Sequence, residues 1–179
     1  NYLWDQGVEG SNPFSPTILY FNFFYIPLVK LCDILKQIRN FMDFCHFLTS
    51  YMPDPNIGSE KHFQNMIDQS ILAEKLGYKT VSIPEHHLIN ILMMPSPLQM
   101  AVKIATLTKK IDITTGISVL PLHDMRTYAG DVATADILTN GRLILGVGRG
   151  AFAWEMERLG SPINDSKEKF IESLKVLQL

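Results

Sequence analysis

The residues with the most chemical capacity stand at 85–87, where the apolar run VSIP gives way to Glu85, His86 and His87. Imidazole titrates near neutral pH and a neighbouring carboxylate orients it, so His86 has the make-up of a general base or proton donor. A histidine at a strand end equally serves as a structural hydrogen-bonding residue, and its type alone does not separate the two roles. Further along, Thr115-Gly116-Ile117-Ser118 leads to Leu120-Pro121 and His123, and Gly148-Arg149-Gly150 follows another apolar run. A metal site made of His86, His87 and His123 is set aside. Adjacent strand residues point to opposite faces, and no helical HExxH spacing occurs.

The stretch GVGRGA, Gly146 to Ala151, formally satisfies the G-x-G-x-x-A dinucleotide fingerprint. Its context does not. That fingerprint belongs to a first strand and is answered by an acidic residue closing the next strand, whereas Asp165 precedes a helix-like segment. Arg149 suits direct pairing with a phosphate better than a cradle of backbone amides.

These residues need elements to position them. MDFCHFL, residues 42 to 48, reads as a short buried strand, followed by the turn-rich PDPNIGS. A helix starts after Ser59 as its N-cap, presents Phe63, Met66, Ile67 and Ile71, widens its stripe with Leu72, Ala73 and Leu76, and stops at Gly77. A strand over Thr80 to Pro84, a helix over Ser96 to Thr108, a strand over Ile111 to Leu120, a helix over Tyr128 to Leu138 and a strand over Arg142 to Val147 follow. A last helix, Ser166 to Leu177, comes after a polar loop holding Gly160, Pro162 and Asn164.

The repeating unit is βα, which demands a parallel sheet with right-handed crossovers and leaves a (β/α)₈ barrel or an open doubly wound sheet. In both, the working face lies at the C-terminal ends of the strands, so the groups named above converge on one mouth. A complete barrel takes roughly 250 residues, and residues 42–179 supply about four of its eight units. A half barrel would leave Phe44, Ile83, Ile117 and Leu145, or their alternating neighbours, uncovered.

Composition narrows the class. The 179 residues are 46% hydrophobic with a formal net charge of -2, which fits a globular protein and offers no surface for nucleic acid. Two cysteines, Cys32 and Cys45, are too few for a disulfide framework or zinc site; they read as buried small apolar residues in a reducing cytoplasm. The apolar run ILYFNFFYIPLV is too short to span a membrane, which takes roughly 20 residues, and it contains Asn22 and Pro27.

Residues 1–41 differ from the rest. No methionine precedes Met42, residues 18–41 are crowded with the Phe, Tyr, Ile, Asn and Lys that AT-rich codons specify, and Gly10-Ser11-Asn12-Pro13 is encodable by a sequence resembling the T-arm of transfer RNA genes. The expectation is a doubtful leader, translated non-coding DNA, with Met42 as the start.

The segments AEKLGYKTVSIPEHH, TGISVLP and DVATADILTNGRLILGVGRGA together resemble the bacterial luciferase-like monooxygenases, a flavin- or F420-dependent superfamily of (β/α)₈ barrels. The likeness covers residues 42–179 and is most specific from Ala73 to Ala151. It implies an α/β fold, the N-terminal half of a TIM barrel, in an oxidoreductase that oxygenates a small organic substrate with reduced FMN and O₂. F420-dependent hydride transfer is the alternative within the superfamily, and a non-catalytic flavin-binding protein or an inert fragment are the rivals outside it. A flavin reductase supplying reduced flavin and a dimer of the full-length protein are further implications. Residue by residue, His86 falls on the catalytic histidine, Gly116-Ile117 on a non-prolyl cis peptide beneath the isoalloxazine ring, Arg149 on a phosphate-contacting arginine, and Lys167 on a second basic residue. The chain departs from the pattern at Asp124-Met125-Arg126-Thr127, where Arg126 sits one place early, so no phosphate role is carried onto it.

Overall fold

The computed structural model describes residues 42–178, so the reading of residues 1–41 as translated non-coding DNA, and with it Cys32, lies outside the described residues. From Met42 the chain forms one unit of alternating strands and helices.

Strand β1 (Cys45–Phe47) leads through a single 3₁₀ turn at Pro55–Ile57 into helix α1 (Ser59–Leu76). The N-cap is Gly58 rather than Ser59, and it makes no side-chain cap bond. Glu60 in the first turn and Lys75 in the last complement the helix dipole. The helix stops where Gly77 takes φ 82°, a left-handed turn that a side chain would resist; its N–H reaches the Glu74 carbonyl at 3.0 Å and the Tyr78 N–H that of Ala73 at 3.0 Å. The apolar stripe is narrower than the sequence implies. Met66, Ile67 and Ala73 are buried and Phe63 and Ile71 pack against the core, but Leu72 and Leu76 lie 53% and 65% exposed on the outer side.

Strand β2 (Thr80–Ile83) runs between β1 and β3 (Asp112–Thr115), parallel to both, and helix α2 (Pro97–Leu107) makes the crossover. Buried on both faces, β2 supplies Val81 and Ile83 to a core shared with Leu48, Met66, Met94, Ile104 and Ile113. Two side chains fix this register from outside the strands. Glu74 accepts the N–H groups of Lys109, Lys110 and Ile111 at 2.8, 2.6 and 3.0 Å, holding the entry to β3. Arg142 donates to the carbonyls of Ala105 at 2.8 Å and Ile111 at 3.2 Å, tying the end of α2 to the start of the following strand.

The segment read as one strand over Ile111 to Leu120 is two. β3 ends at Thr115, the Gly116–Ile117 peptide is cis, and β4 (Ser118–Val119) resumes in a different sheet. After helix α3 (Met125–Leu138) the same happens again: β5 (Leu143–Ile144) pairs with β3, and β6 (Val147–Gly148) pairs with β4. Period and propensity are alike on both sides of each break, and the local signs are Gly116 and Gly146, which stand at the two breaks.

Helix α4 (Ala153–Arg158) stands at the head of a stretch read as loop, and helix α5 (Ser166–Leu177) closes the chain where the sequence placed it. The result is an α/β fold of parallel strands in the order β1-β2-β3-β5, with β4-β6 continuing the last two, four βα units of a partial barrel. Among the described residues no helix is long and apolar enough to cross a membrane. Two further expectations need correction. Ile83 is fully buried beneath α1 and α2 rather than uncovered, while Phe44 and Ile117 are 42% and 38% exposed; Cys45 is exposed, not packed away, because β1 is an outer strand.

Candidate functional site

All strands end on the same side, and there β2 hands over to Glu85-His86-His87. The two imidazoles part ways. His87 turns to Glu85, its Nε2 donating to Oε1 at 2.7 Å, while the His86 ring lies edge-on to Phe152 with centroids 5.3 Å apart.

Glu85 is a buried carboxylate with its lone pairs in use. Val119 N–H donates to Oε2 at 2.8 Å, and His123 Nε2 lies 2.8 Å from Oε1, off the line of a directed hydrogen bond. His123 in turn stacks on Tyr128, ring centroids 3.9 Å apart at 18°, and Tyr128 O–H donates to Ser118 Oγ at 2.6 Å. One side chain thereby ties the end of β2 to β4 and to the start of α3. Among the described residues no His, Cys, Asp and Glu group is placed to hold a metal ion.

Burial pushes the Glu85 carboxyl up, but the contacts of His123 and His87 and the Val119 N–H outweigh it and bring it down to about 2. The hydrogen bond to Glu85 raises His87 against its own partial burial. Burial likewise lifts the Tyr128 phenol to about 12, so it stays a neutral donor to Ser118. The linkage has two limbs. The contribution of Glu85, of order 3 kcal/mol, is complete above its unfolded value of about 4.5 and is lost as pH falls through about 2. That of His87 is complete below about 6.5 and is lost as pH rises through its raised folded value. Unfolding midpoints measured from pH 2 to 9 are expected to peak between the limbs, and Glu85→Gln should flatten both. A variant that keeps the wild-type acid limb would remove Glu85 as its source.

Beside this clamp lies a cleft of about 110 Å³ lined by His86, Gly116, Ile117, Val119, Phe152 and Glu155, among others. At its Gly116 edge a Cβ would run into Ser82 Oγ, so that position accepts only glycine without rearrangement. Ile117 and Phe152, 38% and 46% exposed, give the cleft apolar walls. Ligand pockets usually measure about 300–1,000 Å³, several times the volume of this cleft. A larger groove, about 520 Å³, lies between α2 and α3, on the flank away from His86 and Gly116.

The site residues named from the sequence are only partly assembled here. His86, Gly116 and Ile117 line the cleft together. Arg149 is exposed just after β6, next to the cleft-lining Gly150 and Ala151, and Lys167 is exposed on the first turn of α5, outside the cleft. Arg126 is engaged elsewhere, its guanidinium forked onto Asp124 with Nη2 to Oδ2 at 2.5 Å. Glu155, buried on α4, is the residue that sequence reading missed. Six residues are too few to show a helical period, so nothing marked it as facing inward.

The model of the luciferase-like monooxygenases matches residues 42–179. The chain belongs to this family. The oxygenase component of the flavin-dependent trigonelline monooxygenase of Acinetobacter baylyi is 34% identical over 97 residues, 54% of this chain and 27% of that protein. The oxygenating constituent of 3,6-diketocamphane monooxygenase from the CAM plasmid of Pseudomonas putida, solved in complex with FMN, superposes with a TM-score of 0.71 at 22% identity, covering 76% of this chain and 38% of that one. An F420-dependent secondary alcohol dehydrogenase, solved with an F420-acetone adduct, gives 0.61 at 21% identity over 76% and 41%. The luciferase-like chain spans about two fifths or less of the length of the curated relatives it matches. At these identities the solved structures carry the fold, which for this chain is a partial barrel with the strand-end site on its mouth.

Proposed function

We propose that the luciferase-like chain is part of a flavin-dependent monooxygenase that acts on a small organic substrate, with His86 handling protons at the cofactor. The observation that carries this is the meeting, at the C-terminal ends of parallel strands, of a histidine, the backbone of the Gly116-Ile117 peptide and the apolar surfaces of Ile117 and Phe152. A flat, largely apolar ring with polar edges fits such a wall, which supports reduced FMN as the cofactor. When bound, reduced flavin supplies the electrons that activate O₂ and deliver one oxygen atom to the substrate. The chain's own part is to seat the ring against Ile117, exclude water with Phe152, present His86 to the reacting edge, and meet the phosphate with Arg149 and Lys167.

The relative from A. baylyi is an oxygenase component, which supports a separate flavin reductase as the supplier of reduced flavin. Cytoplasmic placement and a dimer of the complete protein belong to the same reading. The first test is whether a protein with its barrel completed binds FMN and consumes O₂ when reduced flavin is supplied. Binding of the deazaflavin F420 in preference to FMN, with no oxygen consumed, would transfer the reading to hydride transfer.

Arg149 provides a sharper check. In the completed protein Arg149→Ala is expected to weaken FMN by about 1.5–3 kcal/mol, roughly 10- to 150-fold, and riboflavin hardly at all, because only FMN carries the phosphate that a guanidinium grips. Equal losses for the two ligands, in parallel titrations, would release Arg149 from the phosphate.

A further inference from the structure

The Nδ1 atom of His86 is buried without a hydrogen-bond partner. Burying a ring nitrogen unpaired is costly, so what it faces matters. It faces Glu155, whose Oε2 lies 3.7 Å away. That is too long for a hydrogen bond and close enough to become one with a small rotation of either side chain. Catalytic hydrogen bonds are often loose before the ligand is in place and tighten with it.

Glu155 is itself held. It is 3% exposed on the short helix α4, and its other oxygen, Oε1, accepts the backbone N–H of His87. Oε1 thus fixes the backbone of the Glu-His-His segment, while Oε2 faces the ring of its middle residue. No other group competes for Nδ1 within hydrogen-bond distance, and Phe152 presents only a ring to the imidazole.

We infer that Glu155 is the positioning residue of His86: it holds the ring proton on Nδ1 and leaves Nε2 as the unprotonated nitrogen that meets cofactor or substrate. This rests on the proposed role of His86, and it extends that role by saying which nitrogen works and what sets it. Which imidazole nitrogen carries the proton is decided by the partner of the other one. A carboxylate only accepts, so it selects Nδ1–H. Glutamine at position 155 reverses this. Its oxygen stays with the His87 N–H, and its amide NH₂ then points at Nδ1, which must become the acceptor.

The test is ¹⁵N spectroscopy of the His86 ring in the full 179-residue chain labelled at histidine, in solution or by magic-angle spinning if the sample associates, at a pH where the ring is neutral. The wild-type ring is expected to carry its proton on Nδ1, and Glu155→Gln is expected to move it to Nε2. A wild-type ring protonated on Nε2 overturns the inference without any variant, and so does a Glu155→Gln ring that keeps Nδ1–H. Should the variant fail to fold, the wild-type tautomer alone decides. In the completed protein, His86→Ala with undiminished turnover would sink the role of His86 itself, and that outcome is separate from the tautomer result.

Discussion

Replacing His86 by alanine in a protein whose barrel is complete is expected to lower turnover by about 10²- to 10⁴-fold, with flavin affinity little changed. The magnitude is that of losing a positioned acid or base, and the ring is built as one. It lines the cleft beside the Gly116–Ile117 peptide, packs edge-on to Phe152, and faces a buried carboxylate. Affinity should survive because the apolar wall of Ile117 and Phe152 and the guanidinium of Arg149 remain in place. His87→Ala provides the contrast. Its ring hydrogen-bonds Glu85 and does not itself line the cleft, so its loss should show in the unfolding midpoint more than in turnover. Steady-state kinetics with saturating reduced flavin, alongside flavin titration, make the check, and unchanged turnover in His86→Ala would return this histidine to a structural role.

The 179-residue chain on its own is expected to associate into dimers or larger species without turnover. Among the described residues β1 and β5 each pair on one side only, so two strand edges present free backbone groups. Large apolar side chains stand in solvent beside them: Phe44 at 42%, Phe47 at 54%, Ile117 at 38% and Ile144 at 48% exposed. Fully burying one such side chain is worth about 1.5–3 kcal/mol, and several together rival the roughly 5–15 kcal/mol that stabilises a domain. Association through these edges recovers part of that, but it does not supply the second wall that a cleft of about 110 Å³ lacks. Light scattering and FMN titration on the purified 179-residue chain, and on residues 42–179 beside it, give the answer: a stable monomer that binds FMN tightly would defeat the expectation.

Much of the scaffold was legible because it follows from local rules. The alternation of short β-branched runs with amphipathic helices requires parallel strands, and parallel strands bring their C-terminal ends to one side. Gly77 ends α1 as its type demands, and Pro97 opens α2 at its first turn, where a missing N–H costs nothing. The illegible parts share a cause. The cis peptide at Gly116-Ile117 stands where the family likeness placed it, but that the chain changes sheet there and again between Ile144 and Val147 is decided by which neighbours each half pairs with. The exposure of Leu72, Leu76 and Cys45 depends on what packs over them, which no window of sequence contains.

The sequence by itself determined the βα order, the parallel sheet, the family likeness and the set of groups delivered to the strand ends, since each depends on residue type and short-range spacing. Only the tertiary structure decided which of those groups work together. Glu85 proved to belong to His87 and His123, at 2.7 and 2.8 Å, and not to His86. The carboxylate facing His86 came from Glu155, 69 positions further along on a helix the sequence did not announce. The physical reason is range. Propensity and period act over a few residues, whereas a hydrogen bond is fixed by distances and angles between atoms that the packing of whole elements brings together.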